Sequence, residues 1–179
     1  MTGSTWIVAV CILALGVVGA CARVNERGPE GSEGSTPPLT RSDAAPPRVA
    51  PGMHAFLDVT NSGTIPYTVW LPPGFDEANR REPGKRWPLV FAFHGSGESG
   101  TDGSKQVWQG LGLALLHNPE RFPAIVVMPQ KPDKREWDAF DAPVWALMDR
   151  VMREWPVDEA RVVLTGVSQG GKACWHFAG

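Results

Sequence analysis

Cysteine is scarce in this chain of 179 residues, which has only three, at positions 11, 21 and 174. Two of them lie in the N-terminal segment, so Cys174 is the only thiol available to a folded domain and an internal disulfide framework is excluded. We expect Cys174 to be a small buried hydrophobe of the core, because it follows a small-residue stretch typical of a buried helix.

The sequence also lacks an excess of charge of either sign. It has 17 Lys and Arg residues against 19 Asp and Glu residues, a formal net charge of −2, and the basic residues are scattered. This excludes a nucleic-acid-binding stripe. Neither a His/Cys/Asp cluster with metal-ligand spacing nor a Gly-Lys-Thr phosphate loop is present, so we expect no metal and no cofactor.

A long hydrophobic run is missing too. The longest apolar run spans residues 6–20, which is short for a membrane span and typical of the hydrophobic part of an export signal. We therefore predict a signal peptide at residues 1–20. The run ends in Val-Gly-Ala-Cys at 18–21, which resembles the lipobox of bacterial lipoproteins. That resemblance implies a lipid on Cys21 and an exported protein of the cell envelope, which meets a membrane only through this anchor.

Two alternatives to lipidation stay open. Residues 1–5 carry no Lys or Arg, whereas the start of an export signal is normally positive. Plain secretion and an uncleaved anchor are therefore the other interpretations.

Residues 21–52 are rich in Pro, Gly, Ser, Glu and Arg and have almost no large apolar side chains. Such a segment cannot bury enough surface to offset the entropy of ordering it, so we predict a disordered tether. A flexible chain of this length reaches roughly 30 Å. The folded domain is predicted at residues 53–179.

Short apolar runs alternate with helical patterns in residues 53–179. The predicted strands are 55–59, 65–71, 89–94, 124–128 and 161–165, and the predicted helices are 105–116, 142–155 and one beginning at 169. The helix at 142–155 has one apolar stripe, with Asp141 as its expected N-cap and Pro143 in its first turn. Strands alternating with helices predict the α/β class, a mainly parallel sheet flanked by helices.

The pattern Gly166-Val-Ser168-Gln-Gly170 follows the β-branched strand at 161–165 and precedes a helical stretch. Such a strand-to-helix turn holds a serine in a strained conformation that only small neighbours permit, which explains Gly166 and Gly170. It exposes the hydroxyl at the carboxyl end of the sheet. The pattern predicts Ser168 as a nucleophile for acyl transfer.

A glycine-rich turn at 95–100 follows the strand at 89–94. Turns of this kind point backbone N–H groups at a ligand, and acyl transfer requires such donors for the oxyanion. We predict that the amide groups of Ser96 and Gln169 form the oxyanion hole.

Four segments occur in order along residues 53–179: Tyr-Thr-Val-Trp-Leu-Pro-Pro-Gly-Phe from 67, Phe-His-Gly-Ser-Gly-Glu-Ser-Gly from 93, Val-Val-Met-Pro-Gln from 126, and Val-Asp-Glu-Ala-Arg-Val-Val-Leu-Thr-Gly-Val-Ser-Gln-Gly-Gly from 157. Together they resemble the α/β-hydrolase esterases of the phospholipase/carboxylesterase group. The resemblance implies a carboxylic ester hydrolase with Ser168 as nucleophile, the amides of Ser96 and Gln169 as oxyanion hole, and His94 as a turn residue.

The chain departs from that pattern after the serine. In the α/β-hydrolase fold the catalytic acid and histidine follow the nucleophile in chain order, and only residues 169–179 follow here. His176 would lie about 12 Å along the helix axis from Ser168, outside hydrogen-bond reach. His54, His94 and His117 precede the serine.

We therefore expect a serine esterase for a small-molecule or polymer ester, incomplete and poorly active as given. A non-catalytic surface binding module on a truncated hydrolase scaffold, and a serine peptidase of the prolyl-oligopeptidase type, are the alternatives.

Overall fold

The computed structural model describes residues 50–60 and 63–179. The predicted signal peptide, Cys21 and all but the last three residues of the predicted tether lie outside the described residues. The first strand begins at Gly52, one residue before the predicted start of the folded domain.

The described residues form a five-stranded sheet in the order β1-β2-β4-β3-β5. Its strands are β1 (Gly52–Thr60), β2 (Gly63–Leu71), β3 (Trp87–Phe93), β4 (Ile125–Pro129) and β5 (Val157–Gly166). The pairs β1–β2 and β2–β4 are antiparallel, whereas β4–β3 and β3–β5 are parallel. The sheet is thus mixed: β1 and β2 form an antiparallel hairpin ahead of the parallel strands.

Four α-helices accompany the sheet. They are α1 (Phe75–Arg81), α2 (Leu111–His117), α3 (Asp141–Glu154) and α4 (Gln169–Ala178). This confirms the predicted α/β class with helices flanking a sheet. None of the helices in the described part of the chain has the length and apolar character needed to cross a membrane.

Helix α1 was not predicted, because a short polar segment with one large apolar residue shows no helical periodicity. It begins after Gly74, whose φ of 73° turns the chain, and it is fixed to the core by the buried Phe75.

One continuous helix was predicted at 105–116, and this prediction is wrong because the segment forms two separate elements. A 3₁₀ turn covers Lys105–Trp108, and α2 starts only after Gly110, whose φ of 50° and ψ of −118° interrupt the helix. The two pieces pack closely. A Cβ on Gly112 would lie 2.1 Å from the carbonyl oxygen of Val107, so only glycine fits there.

Side chains of β2, β3 and β4 alternate between two apolar layers, as the twofold period of a strand requires. In β3, Leu89, Phe91 and Phe93 enter the larger core, which α3 and α4 cover. The intervening Val90 and Ala92 pack against the smaller core, which includes residues of the 3₁₀ turn and of α2. Both faces of the sheet are therefore buried at its central strands.

Helix α3 carries the predicted apolar stripe, and Val144, Leu147 and Val151 are fully buried in the larger core. The helix begins at Asp141, and Phe140 occupies the N-cap position, so Asp141 is not the cap. The Asp141 carboxylate instead accepts a hydrogen bond from Nε2 of His176 at 2.6 Å, which joins α3 to α4.

Candidate functional site

Ser168 occupies the sharp turn between the end of β5 and the start of α4. Its φ of 55° and ψ of −118° make it the only non-glycine residue with a positive φ in the described part of the chain. Such a conformation costs an L-residue about 1–3 kcal/mol and is retained mainly where function requires it. The side chain is exposed at the carboxyl end of the parallel strands.

Gly166 and Gly170 permit this turn because a side chain at either position would collide with the main chain. A Cβ on Gly170 would lie 1.9 Å from the carbonyl oxygen of Phe93, and one on Gly166 would lie 2.3 Å from the carbonyl oxygen of Gly170. The start of α4 therefore packs directly on the end of β3. The G-x-S-x-G spacing places a glycine at each point of contact.

The glycine-rich turn after β3 lies against Ser168. A Cβ built on Gly95 would be 3.5 Å from the Cβ of Ser168. Ser96 follows at the start of a 3₁₀ turn, Ser96–Glu98, and Gln169 is the first residue of α4. Neither the Ser96 amide nor the Gln169 amide donates a hydrogen bond to another described residue. The N–H groups of Ser96 and Gln169 therefore have no protein acceptor in the described part of the chain.

His94 is locked in the adjacent core. Its Nε2 accepts a hydrogen bond from the Lys131 amide at 3.1 Å, so the ring proton is on Nδ1, which donates to the carbonyl oxygen of Gly95. Trp137 packs edge-on against the ring, and its Nε1 donates to the His94 carbonyl at 3.0 Å. Burial lowers the pKa of His94 to about 4. A neutral ring with both nitrogens engaged supports the turn and has no lone pair directed at the serine.

Lys131 connects the loop after β3 with the loop after β4. It is fully buried, and its Nζ donates to Ser99 Oγ at 3.2 Å and to the carbonyl oxygens of Asp133 and Arg135 at 2.9 and 2.6 Å. Its carbonyl oxygen also accepts the amide of Gly100 at 3.0 Å. Burial lowers the pKa of Lys131. Three acceptors nevertheless suit an ammonium group, which fixes the turn that carries Ser96.

The other three histidines are also engaged away from Ser168. His54 bonds the carbonyl oxygen of Ala50, His117 bonds that of Leu113, and His176 bonds Asp141. In residues 50–60 and 63–179, therefore, no histidine is hydrogen-bonded to the serine. The same part of the chain holds no cluster of three His, Cys, Asp or Glu side chains able to bind a metal ion.

A cavity of about 160 Å³ opens beside the turn that carries Ser168. It lies at the carboxyl ends of β3, β4 and β5, where the 3₁₀ turn and the start of α2 cover the sheet. Three buried polar side chains line it, His94, Glu98 and Gln106, which are 5%, 7% and 5% exposed.

Sequence reasoning missed the buried positions of Glu98, Gln106 and Lys131, because polar residues in loops are usually solvated. One signal was available: Gln130 and Lys131 directly follow an apolar strand, at the edge of the sheet where functional groups gather. Gln130 is fully buried there; its Oε1 accepts the Gly103 amide at 2.6 Å and its Nε2 donates to the Glu98 carbonyl oxygen at 3.0 Å.

No protein-family model and no curated protein sequence matches the chain. Solved structures do match it. An S-formylglutathione hydrolase from Staphylococcus aureus is 15% identical with a TM-score of 0.50, covering 68% of this chain and 50% of its own. A fluorophosphonate-binding serine hydrolase of the same organism is 13% identical with a TM-score of 0.50, covering 69% and 50%. A thermostable esterase is 26% identical with a TM-score of 0.49, covering 66% and 35%.

The likeness to the two structures from Staphylococcus aureus shows the fold. The described residues form part of an α/β-hydrolase fold, with a mixed sheet flanked by helices. The chain spans between about a third and a half of the length of these three structures.

Proposed function

We propose that the protein is a serine carboxylic ester hydrolase that works through an acyl-enzyme, with Ser168 as the nucleophile. The observation that carries this proposal is the positive φ of Ser168 at an exposed strand-to-helix turn. A strained serine at that place in an α/β-hydrolase fold is what nucleophilic attack on a carbonyl requires. The names of the neighbouring structures, esterase and serine hydrolase, agree with it.

In the proposed reaction the Ser168 Oγ forms a bond to the ester carbonyl carbon while a general base takes the hydroxyl proton. The carbonyl oxygen becomes an oxyanion, which the amides of Ser96 and Gln169 bind. The tetrahedral intermediate expels the alcohol, which takes up the proton, and leaves an acyl-serine. Water then attacks this ester, is deprotonated by the same base, and releases the acid and Ser168.

The electrostatics around the serine support this assignment of the amides. Gln169 is the first residue of α4, so its amide lies at the positive end of the helix dipole, which favours an anion there. Lys131 Nζ donates to Ser99 Oγ and so stabilises the turn that carries Ser96. Donors that are held before substrate arrives are how an oxyanion hole lowers a barrier, and this supports the assignment of the two amides.

The base is the component that the described residues do not bring to Ser168, because each histidine has another partner. Loss of the histidine in a comparable serine hydrolase lowers turnover by about 10⁶, and the oxyanion hole with binding retains about 10³ to 10⁴ over water. We therefore expect residues 1–179 by themselves to hydrolyse esters very slowly.

The lack of a described histidine bonded to Ser168 also favours a second candidate, a binding module on a hydrolase scaffold that holds ligands beside Ser168 without turnover. It differs from the first in what Ser168 does. In a binding module, Ser168→Ala leaves ligand affinity unchanged and no acyl-enzyme forms.

The test is covalent labelling by a fluorophosphonate probe, followed by mass spectrometry of the labelled peptide. Two proteins are compared, residues 1–179 and the product of the native gene including any coding sequence after codon 179. We expect label on Ser168 in the native product, none in its Ser168→Ala variant, and much slower labelling of residues 1–179. Folded native product that takes no label at Ser168, and binds ligands equally well with alanine there, would reject the enzyme in favour of the binding module.

A further inference from the structure

We propose that the cavity beside the serine turn binds a neutral, ring-sized group that bears a hydroxyl, held by the carboxylate of Glu98. The proposal rests on the proposed function and deepens it. The preferred substrate is an ester whose acyl or alcohol part carries a hydroxylated ring.

Glu98 is a carboxylate placed inside the protein without a donor. Its side chain lines the cavity and is only 7% exposed, yet in the described part of the chain it forms no hydrogen bond and no salt bridge. The carboxylate oxygens of Glu98 are not among the enclosed unpaired atoms of the described residues, so they are open to the cavity. A ligand hydroxyl can donate to them there.

Gln106 closes one wall of the same cavity. Its Nε2 donates to Thr68 Oγ1 and to the Met128 carbonyl oxygen, both at 3.3 Å, which fixes the side chain. Its Oε1 is buried and has no surface open to the cavity, so Glu98 is the side chain that offers an acceptor to a ligand there.

The rest of the cavity is mainly apolar and matches a ring in size. Its volume is about 160 Å³, and a cavity of about 150 Å³ is enough to hold benzene. Apolar side chains that line it include Ala92, Leu111, Met128 and Val167. Apolar walls with one carboxylate acceptor fit a ring that carries a hydroxyl.

The charge nearby favours a hydroxyl over an ammonium group. The buried ammonium of Lys131 already interacts electrostatically with Glu98. A second cation would be desolvated beside the first and repelled by it. A neutral donor gains the hydrogen bond without that repulsion.

The position of Glu98 connects this cavity with the serine. Its Oε2 lies 3.4 Å from the point where a Cβ on Gly95 would be, and the Cβ of Ser168 lies 3.5 Å from the same point. A ring bound at Glu98 is therefore within a few bonds of the reacting ester.

Binding of small non-ester rings tests this proposal independently of catalysis. Dissociation constants of phenol, anisole and benzylamine for the native protein are measured by NMR titration. We expect phenol to bind at least about tenfold more tightly than anisole, because a hydrogen bond to a charged acceptor is stronger than one between neutral groups. Benzylamine, charged at neutral pH, should bind more weakly than phenol.

Substitutions show whether Glu98 causes the preference for phenol over anisole. Glu98→Met should abolish the preference for phenol, the isosteric Glu98→Gln should reduce it, and Glu159→Met, at an exposed glutamate, should leave it unchanged. Glu98→Gln also answers the question if Glu98→Met fails to fold. Equal binding of phenol and anisole, an unchanged preference in a folded Glu98 variant, or tighter binding of benzylamine would each overturn the proposal.

The outcome of the phenol-binding experiment is independent of the outcome of the Ser168 labelling experiment. Selective phenol binding without labelling of Ser168 would keep the cavity and reject the esterase. Labelling of Ser168 without phenol selectivity would keep the esterase and reject this substrate class.

Discussion

At the scale of single residues, the strain at Ser168 predicts opposite effects on stability and reactivity. Glycine adopts a positive φ without penalty, so Ser168→Gly relieves about 1–3 kcal/mol while lowering stability slightly through the more flexible unfolded chain. We expect a net gain of about 1 kcal/mol in the free energy of unfolding, measured by urea denaturation, with loss of fluorophosphonate labelling.

Ser168→Ala is the matched control, because alanine loses the hydroxyl but keeps the strain. Its stability should stay close to that of the native protein. Equal stability of the glycine and alanine variants would contradict the strain at position 168.

His94 predicts a pH dependence of stability. Its folded pKa of about 4 is below the usual 6.5, so between these values the unfolded chain binds a proton that the native protein does not. Stability is therefore full above pH 6.5 and falls as pH decreases, by up to about 3 kcal/mol at pH 4.

The measurement is urea denaturation from pH 7 to 4, compared with His94→Gln, whose Oε1 can still accept the Lys131 amide. We expect a flatter pH profile in this variant. His117→Gln, at an exposed histidine, should keep the native profile. If the stability of His94→Gln depended on pH as steeply as that of the native protein, His94 would not be the cause of that dependence.

At the scale of elements, the contact between β3 and α4 depends on the absence of one side chain. Gly170→Ala forces a Cβ against the Phe93 carbonyl, which is main chain and cannot move aside. We expect a loss of about 3 kcal/mol or more in the free energy of unfolding. Gly97→Ala, where nothing lies within 4 Å of the new Cβ, should stay within about 0.5 kcal/mol of the native protein. Similar melting temperatures for the two variants would refute this contact.

The elements also show which parts of the fold the sequence could predict. Strand β5 and helix α4 follow from β-branched residues, a G-x-S-x-G turn and small residues within a short stretch, and the structure has them at Val157–Gly166 and Gln169–Ala178. The break in the predicted 105–116 helix could not be foreseen, because an isolated glycine is tolerated in many helices and the local pattern does not reveal the φ of 50° at Gly110.

At the candidate site, the sequence predicted that the two loops lie close together, whereas the burial of the polar side chains around them is visible only in the folded structure. Gly166, Ser168 and the turn at 95–100 lie together, as two loops at the carboxyl ends of neighbouring parallel strands must. The burial of Lys131 and Glu98 depends on side chains from distant segments, and local patterns do not encode it.

At the scale of the whole molecule, β5 is an outer strand of the described sheet, with only β3 beside it. Exposed tryptophans lie on the neighbouring helices, Trp145 on α3 and Trp175 on α4, at 44% and 51% exposure. An apolar outer strand with such surroundings pairs readily with other chains. We expect residues 1–179 to associate as concentration rises, measured by sedimentation velocity.

A charge on that strand should oppose the association. Val163→Lys should keep the protein monomeric to higher concentration, whereas Leu116→Lys, at an exposed residue of α2, should have little effect. Association that is identical in both variants would show that another surface is responsible.

The enclosure of Lys131 makes it a reporter on the loops it joins. An amine-reactive reagent can reach Nζ only after the three hydrogen bonds to the loops around it have opened. The rate at which acetic anhydride acylates Lys131, relative to the exposed Lys105, therefore measures how often the loops beside Ser168 open. A ligand that fills the neighbouring cavity should slow that acylation, as mass spectrometry of the digested protein can measure, and equal rates at both lysines would mean that these loops are open most of the time.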